Sequence, residues 1–375
     1  MQFVDLNSQF NRIKPDLMSR ITKVLENQDF IMGSEIAELE KVLAERAGVK
    51  HVLTCGSGTD ALVIPLMAYN LAKDDAVFVP SFTFFASAEA ITLAGGTPVF
   101  VDVDANTFNI SISSLLAAIK MVNKAGDLQP RGIIAVDLFG CPADYESLQD
   151  VADEYGLFII EDAAQSLGAE YLGRKAGSFG NVAATSFYPA KPLGCYGDGG
   201  AILTNDDQLA DLCASIRIHG QGVDKYDNVR IGINGRFDTI QAAVVLAKLN
   251  VFDDELVARN KVAKAYSEGL KNLIKIPEIP DGYSSVWAQY TLTAASNDAR
   301  TRILDALHAR GIPTAIYYPI PIHLATAYQG LGYKPGDLLV SEKLAQTVFS
   351  IPICGYLEEQ DVQMIIDAVM AALNS

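Results

Sequence analysis

Lys191 stands in SFYPAKPLGCYGDGGA (Ser186 to Ala201), downstream of the acidic motif EDAAQS (Glu161 to Ser166). A lysine without context is ordinarily a solvated surface charge. Here an apolar and aromatic run, Ala183 to Pro189, leads in, and Gly194, Gly197, Gly199 and Gly200 lead out. That pattern predicts strand, turn and strand around a lysine that need not face bulk water. Desolvation lowers an ammonium pKa and frees the nitrogen lone pair, which is what a Schiff-base lysine requires. Asp162 ends the apolar run LFIIEDA (Leu157 to Ala163), so it is expected at the carboxyl edge of a strand, where open α/β sheets bind ligands. It reads either as a cap or structural ion pair, or as a carboxylate that keeps a heterocyclic nitrogen protonated. GSGTDAL (Gly56 to Leu62) sets glycine and hydroxyl residues before a helical run. Unpaired N–H groups at a helix N-terminus make a phosphate cradle, and plain capping by Thr59 explains the same residues. The segment is neither a P-loop nor the G-x-G-x-x-G dinucleotide fingerprint.

The elements that must hold these residues are legible as alternation. SEIAELEKVLAERA (34–47) has apolar residues at helical spacing behind Ser34 and an acidic first turn, so a helix is expected to open there. From about residue 50, short apolar runs (76–80, 98–103, 132–139, 157–163) alternate with helical stretches such as Tyr145 to Tyr155. Runs this apolar suit strands covered on both faces, in a mostly parallel sheet with helices outside. After NGRFDTIQAAVVLAKL (Asn234 to Leu249) a long charged helix should run to about Leu273, and PEIPDG (Pro277 to Gly282) breaks the pattern. A strand over Val286 to Thr293, a helix from about Asp298 to Arg310, a strand near Ile312 and a final helix from Glu358 to Leu373 follow. The reading is an N-terminal arm with a large α/β domain over 1–250 and a smaller C-terminal α+β domain over 251–375.

Composition narrows the partners. Fifty per cent hydrophobic and 20% charged residues describe an ordinary globular protein, and 375 residues suffice for two cores. A net charge of −16 leaves no basic surplus for nucleic acid or an anionic membrane. No stretch approaches the ~20 apolar residues of a membrane span and no signal core opens the chain, so a cytoplasmic location is expected. The five cysteines are scattered, with no C-x-x-C pair and no histidine at zinc spacing, so neither a disulfide framework nor a metal site is indicated.

Glycine-hydroxyl loop, strand-end Asp and Schiff-base Lys occur in that order, with FVDLNSQ at Phe3, PSFTFFAS (Pro80 to Ser87), RIHG (Arg217 to Gly220), NGRFDTIQAA and YYPIPIH (Tyr317 to His323) around them. Through these motifs the chain resembles, nearly end to end, the DegT/DnrJ/EryC1/StrS group of pyridoxal-phosphate (PLP) sugar aminotransferases. The resemblance implies fold type I, the aspartate aminotransferase fold, with PLP and its pyridoxamine form as cofactor. It implies that Lys191 forms the Schiff base and moves the proton, and that Asp162 pairs with the pyridine nitrogen. Gln165 would reach the ring hydroxyl, Phe84 would stack on the ring, and Gly58, Thr59 and Ser186 would hold the phosphate. Asn234 would come from the partner subunit of a homodimer.

By the same resemblance the donor is an amino acid, L-glutamate, and the acceptor a nucleotide-linked keto-hexose. GDGG (Gly197 to Gly200) follows the lysine where members acting on C4 often read GEGG. KPLGCYGDGG and AQYT (Ala288 to Thr291) are most similar to enzymes that aminate C3 of UDP-2-acetamido-2-deoxy-3-oxo-glucuronate for bacterial surface glycans, including lipopolysaccharide O-antigen. Such an anionic substrate needs cationic hosts, and Arg236 is the candidate for its carboxylate, with Tyr318 nearby. Tyr317 is a departure, because the uronate enzyme carries histidine there. His219 and His323 are candidates for the diphosphate or sugar. The alternatives are a C4 or other 3-keto acceptor such as a dTDP-6-deoxy sugar and, in a different class, a non-catalytic PLP-binding regulatory protein.

Overall fold

The computed structural model describes residues 1–224 and 226–373. In chain order the elements are α1 (Leu6–Asn27), α2 (Ser34–Ala47), β1 (His51–Cys55), α3 (Gly58–Ala68), β2 (Asp75–Pro80), α4 (Ala86–Leu93), β3 (Thr97–Val101), α5 (Ile112–Ala125), β4 (Gln129–Val136), α6 (Tyr145–Tyr155) and β5 (Phe158–Asp162). There follow β6 (Glu170–Tyr171), β7 (Arg174–Lys175), β8 (Val182–Ser186), β9 (Gly200–Thr204), α7 (Asp207–Ile216), α8 (Thr239–Leu270), β10 (Tyr290–Thr293), α9 (Asn297–Ala309), α10 (Leu339–Thr347), β11 (Val348–Ile351) and α11 (Glu359–Leu373).

The main sheet has seven strands in the order β1-β9-β8-β5-β4-β2-β3. β8, β5, β4, β2 and β3 are parallel, and β9 runs against both β8 and β1. The strand period of two explains why these runs are apolar throughout. In β4, Ile133 and Ala135 pack with α5 and α6, while Ile134 and Val136 pack with α3, α4 and α7. A third cluster joins α1 and α2 to the first half of α8. The second half of α8 forms a separate core with α9, α11 and the antiparallel pair β10–β11. The boundary read at residue 250 therefore falls inside one continuous helix.

The structure corrects several local readings. Gly33, not Ser34, is the N-cap of α2, and the Ser34 hydroxyl donates instead to the Glu35 carboxylate. Of the strand expected over 286–293, only Tyr290–Thr293 pairs, because Trp287 adopts a positive φ of 53° and the Val286 N–H turns to the carbonyl of Gly140. Near Ile312 only an isolated bridge between Ala315 and Ser350 forms. α1 escaped the sequence reading because it buries a thin stripe, Gln9, Ile13, Leu17 and Val24.

Candidate active site

β8 and β9 pair as far as Ser186 and Gly200, so Lys191 rides in the connection between two bonded strand ends. Phe187 N donates to Gly199 O at 2.8 Å, Cys195 N to Phe187 O at 2.7 Å and Lys191 N to Tyr188 O at 2.9 Å. The fold-back requires glycine at 194, where a Cβ would stand 2.4 Å from the Tyr188 carbonyl oxygen. Lys191 is half-buried. Burial holds its ammonium pKa below the ordinary value, and Asp162 opposes that shift by its charge.

Asp162 is buried at the carboxyl end of β5, beside Ala184 of β8. Desolvation raises its pKa, while the Ser87 hydroxyl, the Lys191 charge and the Ala164 N–H favour the carboxylate. Ser87 Oγ donates to Oδ2 at 2.7 Å and Ala164 N to Oδ1 at 3.2 Å. Ser87, supplied by α4, was invisible as a site residue in the sequence because nothing local ties it to a strand 75 residues on.

The glycine loop opens α3, and its cap is Ser57, whose Oγ accepts from Asp60 N at 3.0 Å. Capping by Thr59 is thereby overturned. Gly58 lies against Ser186, for a Cβ there would come within 2.7 Å of the Ser186 Cβ and 3.0 Å of its Oγ. Glycine at 58 is thus what lets the N-terminus of α3 pack directly against the Ser186 side chain.

Gln165 Oε1 accepts from Phe139 N at 2.6 Å, which sends Nε2 toward the Tyr318 hydroxyl at 3.2 Å. Burial pushes the Tyr318 phenol well above its usual pKa, so it is neutral. Phe82 is in the core, yet Phe84 two residues later is 57% exposed, its ring 6.0 Å from that of Tyr318. The half-buried Tyr317 packs edge-on against Tyr318 at 5.7 Å.

The remaining candidates divide. Gly56 N donates to Gly235 O at 3.0 Å, which brings the Asn234–Arg236 segment to the glycine loop. Asn234 is exposed, while Arg236 is half-buried with a buried Nε that has no hydrogen-bond partner. His219 is exposed on the turn after α7 with φ of 65°. His323 does not present itself to a ligand. It is 1% exposed, with Nδ1 2.6 Å from Ser81 Oγ and Nε2 3.3 Å from Glu342 Oε1, so both ring nitrogens are already engaged. A groove of about 1180 Å³ between α8 and α11 holds none of the candidate residues.

A phosphorylated pyridine aldehyde fits this donor set. An amine held below its usual pKa can bond the aldehyde carbon, and a buried carboxylate can face the ring nitrogen. An exposed phenyl face is free to stack, and the N-terminus of α3 beside Ser186 can take a phosphate.

The sequence profile of the DegT/DnrJ/EryC1/StrS aminotransferase family matches residues 11–370. The UDP-2-acetamido-2-deoxy-3-oxo-D-glucuronate aminotransferase of Pseudomonas aeruginosa is 42% identical over 370 residues, covering 98% of this chain and 99% of that one. A DegT DnrJ EryC1 StrS aminotransferase structure from Brucella abortus matches with a TM-score of 0.96 at 50% identity over 99% of both chains. The structure of S. venezuelae DesV in complex with a ketimine intermediate gives 0.93 at 35% identity over 100% of this chain and 98% of that one. With the lysine, the strand-end aspartate and the glycine loop assembled on the same type I fold of PLP enzymes, this chain belongs to the DegT/DnrJ/EryC1/StrS aminotransferase family.

Proposed function

We propose that this aminotransferase moves the amino group of L-glutamate to C3 of UDP-2-acetamido-2-deoxy-3-oxo-glucuronate, for a bacterial surface glycan such as O-antigen. The observation that carries the reading is the charge coupling of a desolvated Lys191 with a buried Asp162, in a chain similar over its whole length to an enzyme of that name.

When bound, PLP supplies an electron sink for the carbanion left when the amino donor loses its Cα proton. Lys191 Nζ would be the group that holds the PLP aldehyde and, when free, would serve as the base for the donor's Cα proton, because burial favours its neutral amine. Asp162, whose desolvation is opposed by the Ser87 hydroxyl, the Lys191 charge and the Ala164 N–H, would accept the hydrogen bond of the ring N–H. Gly58, Thr59 and Ser186 would hold the phosphate, Phe84 would cover the ring and Gln165 would reach its hydroxyl. Arg236 binds the sugar carboxylate, and its unpartnered buried Nε supports that role, since an orphaned donor costs free energy until an acceptor arrives. In this reading Tyr317 and Tyr318 would line the sugar, His219 would bind the diphosphate or sugar, and Asn234 would reach the site of a partner subunit in a cytoplasmic homodimer.

The test is the absorbance spectrum of protein reconstituted with PLP, before and after glutamate and then after a panel of nucleotide ketosugars, with Lys191→Ala alongside. The long-wavelength band of the lysine-bound cofactor should form in the wild type only, vanish with glutamate and return with the UDP-3-oxo uronate. A wild type that never forms the band sinks the transaminase mechanism. Recovery with a different ketosugar alone sinks the acceptor. A monomer in sedimentation at micromolar concentration removes the shared site.

A further inference from the structure

Lys248 in α8 is a buried, unpartnered ammonium that this mechanism leaves unused. It is 1% exposed, and its Nζ is buried without a hydrogen-bond partner. Glu255, two helical turns on, lies on the same face, but its carboxylate is taken by Gln9 Nε2 at 2.8 and 3.1 Å and by the Tyr356 hydroxyl. What the ammonium meets is the face of Tyr196, 4.5 Å from the ring centroid. Burial draws the ammonium down to about 8, against Glu255 and Cys195. A methionine would fill the same volume at no electrostatic cost, so the charge is retained against stability.

Tyr196 belongs to the connection that carries Lys191, on the arm returning to β9. α8 grips it twice from one face. Two turns before Lys248, Gln241 brackets the Tyr196 backbone, accepting from its N–H at 2.8 Å and donating to its carbonyl at 3.3 Å. Gly197 follows so closely that a Cβ there would lie 2.9 Å from Gln241 Nε2. The Tyr196 side chain is 37% exposed and its only other ring contact among the described residues is with Phe10 of α1, at 6.5 Å. Of these two ring contacts the cation is the closer, so it fixes the ring while Gln241 fixes the backbone.

We propose that Lys248 is a positioning residue, whose ammonium, through the face of Tyr196, fixes the returning arm of the Lys191 connection and with it the reach of the Lys191 amine. The inference rests on Lys191 as the reacting lysine. Loss of a desolvated cation–π contact should appear as a roughly tenfold effect, about 1.4 kcal/mol, on whatever the contact holds in place. Charge removal should also stabilise the fold while impairing the site, a split that a purely structural residue does not produce.

The experiment compares Lys248→Met, Tyr196→Leu and the double variant. Hydrogen exchange of apoenzyme amides over 188–199, the thermal midpoint, and the single-turnover rate and apparent Kd for glutamate are read for each. Lys248→Met should raise the midpoint, speed exchange over 188–199 and slow the glutamate half-reaction, each rate by about tenfold, with the glutamate Kd unchanged. Tyr196→Leu should reproduce the exchange and rate effects, and the double variant should add nothing. Wild-type exchange and rate in Lys248→Met, or additive losses in the double variant, overturn the proposal. If the lysine-bound cofactor band is absent from the wild type, the function reading has failed instead, and the exchange data still judge whether Lys248 holds the arm.

Discussion

Asp137→Asn gives the sharpest check on how charge is buried behind the site. Asp137 follows β4, and Glu161 precedes Asp162 on β5, facing the opposite side of the sheet. Both are fully buried. Asp137 Oδ1 accepts from Ala143 N at 2.9 Å and the Tyr145 hydroxyl at 2.7 Å, and Oδ2 from Ser166 Oγ at 2.6 Å. Glu161 accepts from Gly177 N at 2.6 Å and Phe179 N at 2.7 Å. Burial raises Asp137 to about 6, and burial together with the Asp137 charge raises Glu161 well above the carboxylate range. The folded pair thus keeps protons that the unfolded chain releases, so stability falls as pH rises from the ordinary carboxyl value towards 6. From 3.8 to about 6, at about 1.4 kcal/mol per pH unit, the Asp137 share is about 3 kcal/mol. The amide introduced by Asp137→Asn does not titrate. Its oxygen can keep Ala143 and Tyr145, and its nitrogen can face Ser166, whose hydroxyl turns to accept, at a cost of about 1 kcal/mol. We expect the variant to be more stable than wild type by about 2 kcal/mol at pH 7, and slightly less stable near pH 4, as measured by urea midpoints at one protein concentration. A variant less stable at pH 7, or an offset independent of pH, would refute the reasoning.

Three further outcomes are expected. Gly58→Ala pushes a methyl against Ser186, an overpacking worth about 2 kcal/mol, and should weaken PLP affinity about thirtyfold in a fluorescence titration; unchanged affinity would remove the phosphate site from this loop. Arg236→Ala should lower kcat/KM for the uronate about thirtyfold, the loss of a charged hydrogen bond of about 2 kcal/mol, and far less for the corresponding hexose; normal kcat/KM for the uronate would end the assigned role. His323→Ala should cost about 3 kcal/mol of stability and, by freeing the segment that bonds Ser81, raise the sugar KM through Tyr318; intact denaturation midpoints would show that the Ser81–Glu342 link holds nothing.

Group chemistry and local period were legible in the chain. The run before Lys191 and the glycines after it implied a desolvated amine between paired strands, and LFIIEDA placed Asp162 at a strand's end. The span expected for α6, Tyr145 to Tyr155, matches the structure at both ends, because its apolar face and Gly156 stop are local signals. Where a residue's role depended on distant neighbours, the reading failed or fell silent. Histidine at 323 resembles a ligand until Ser81 and Glu342 occupy its nitrogens. Glu161 looks like a mere companion to Asp162 until burial makes it hold a proton. Lys248 is one helical lysine among many until Tyr196 closes over it. Element type follows from the period of apolar side chains within one stretch, so the sequence alone determines it. Protonation and orientation follow from desolvation and from partners such as Ser87 for Asp162, 75 residues away, and Tyr318 for Gln165, 153 away, and only the packed chain brings those into contact.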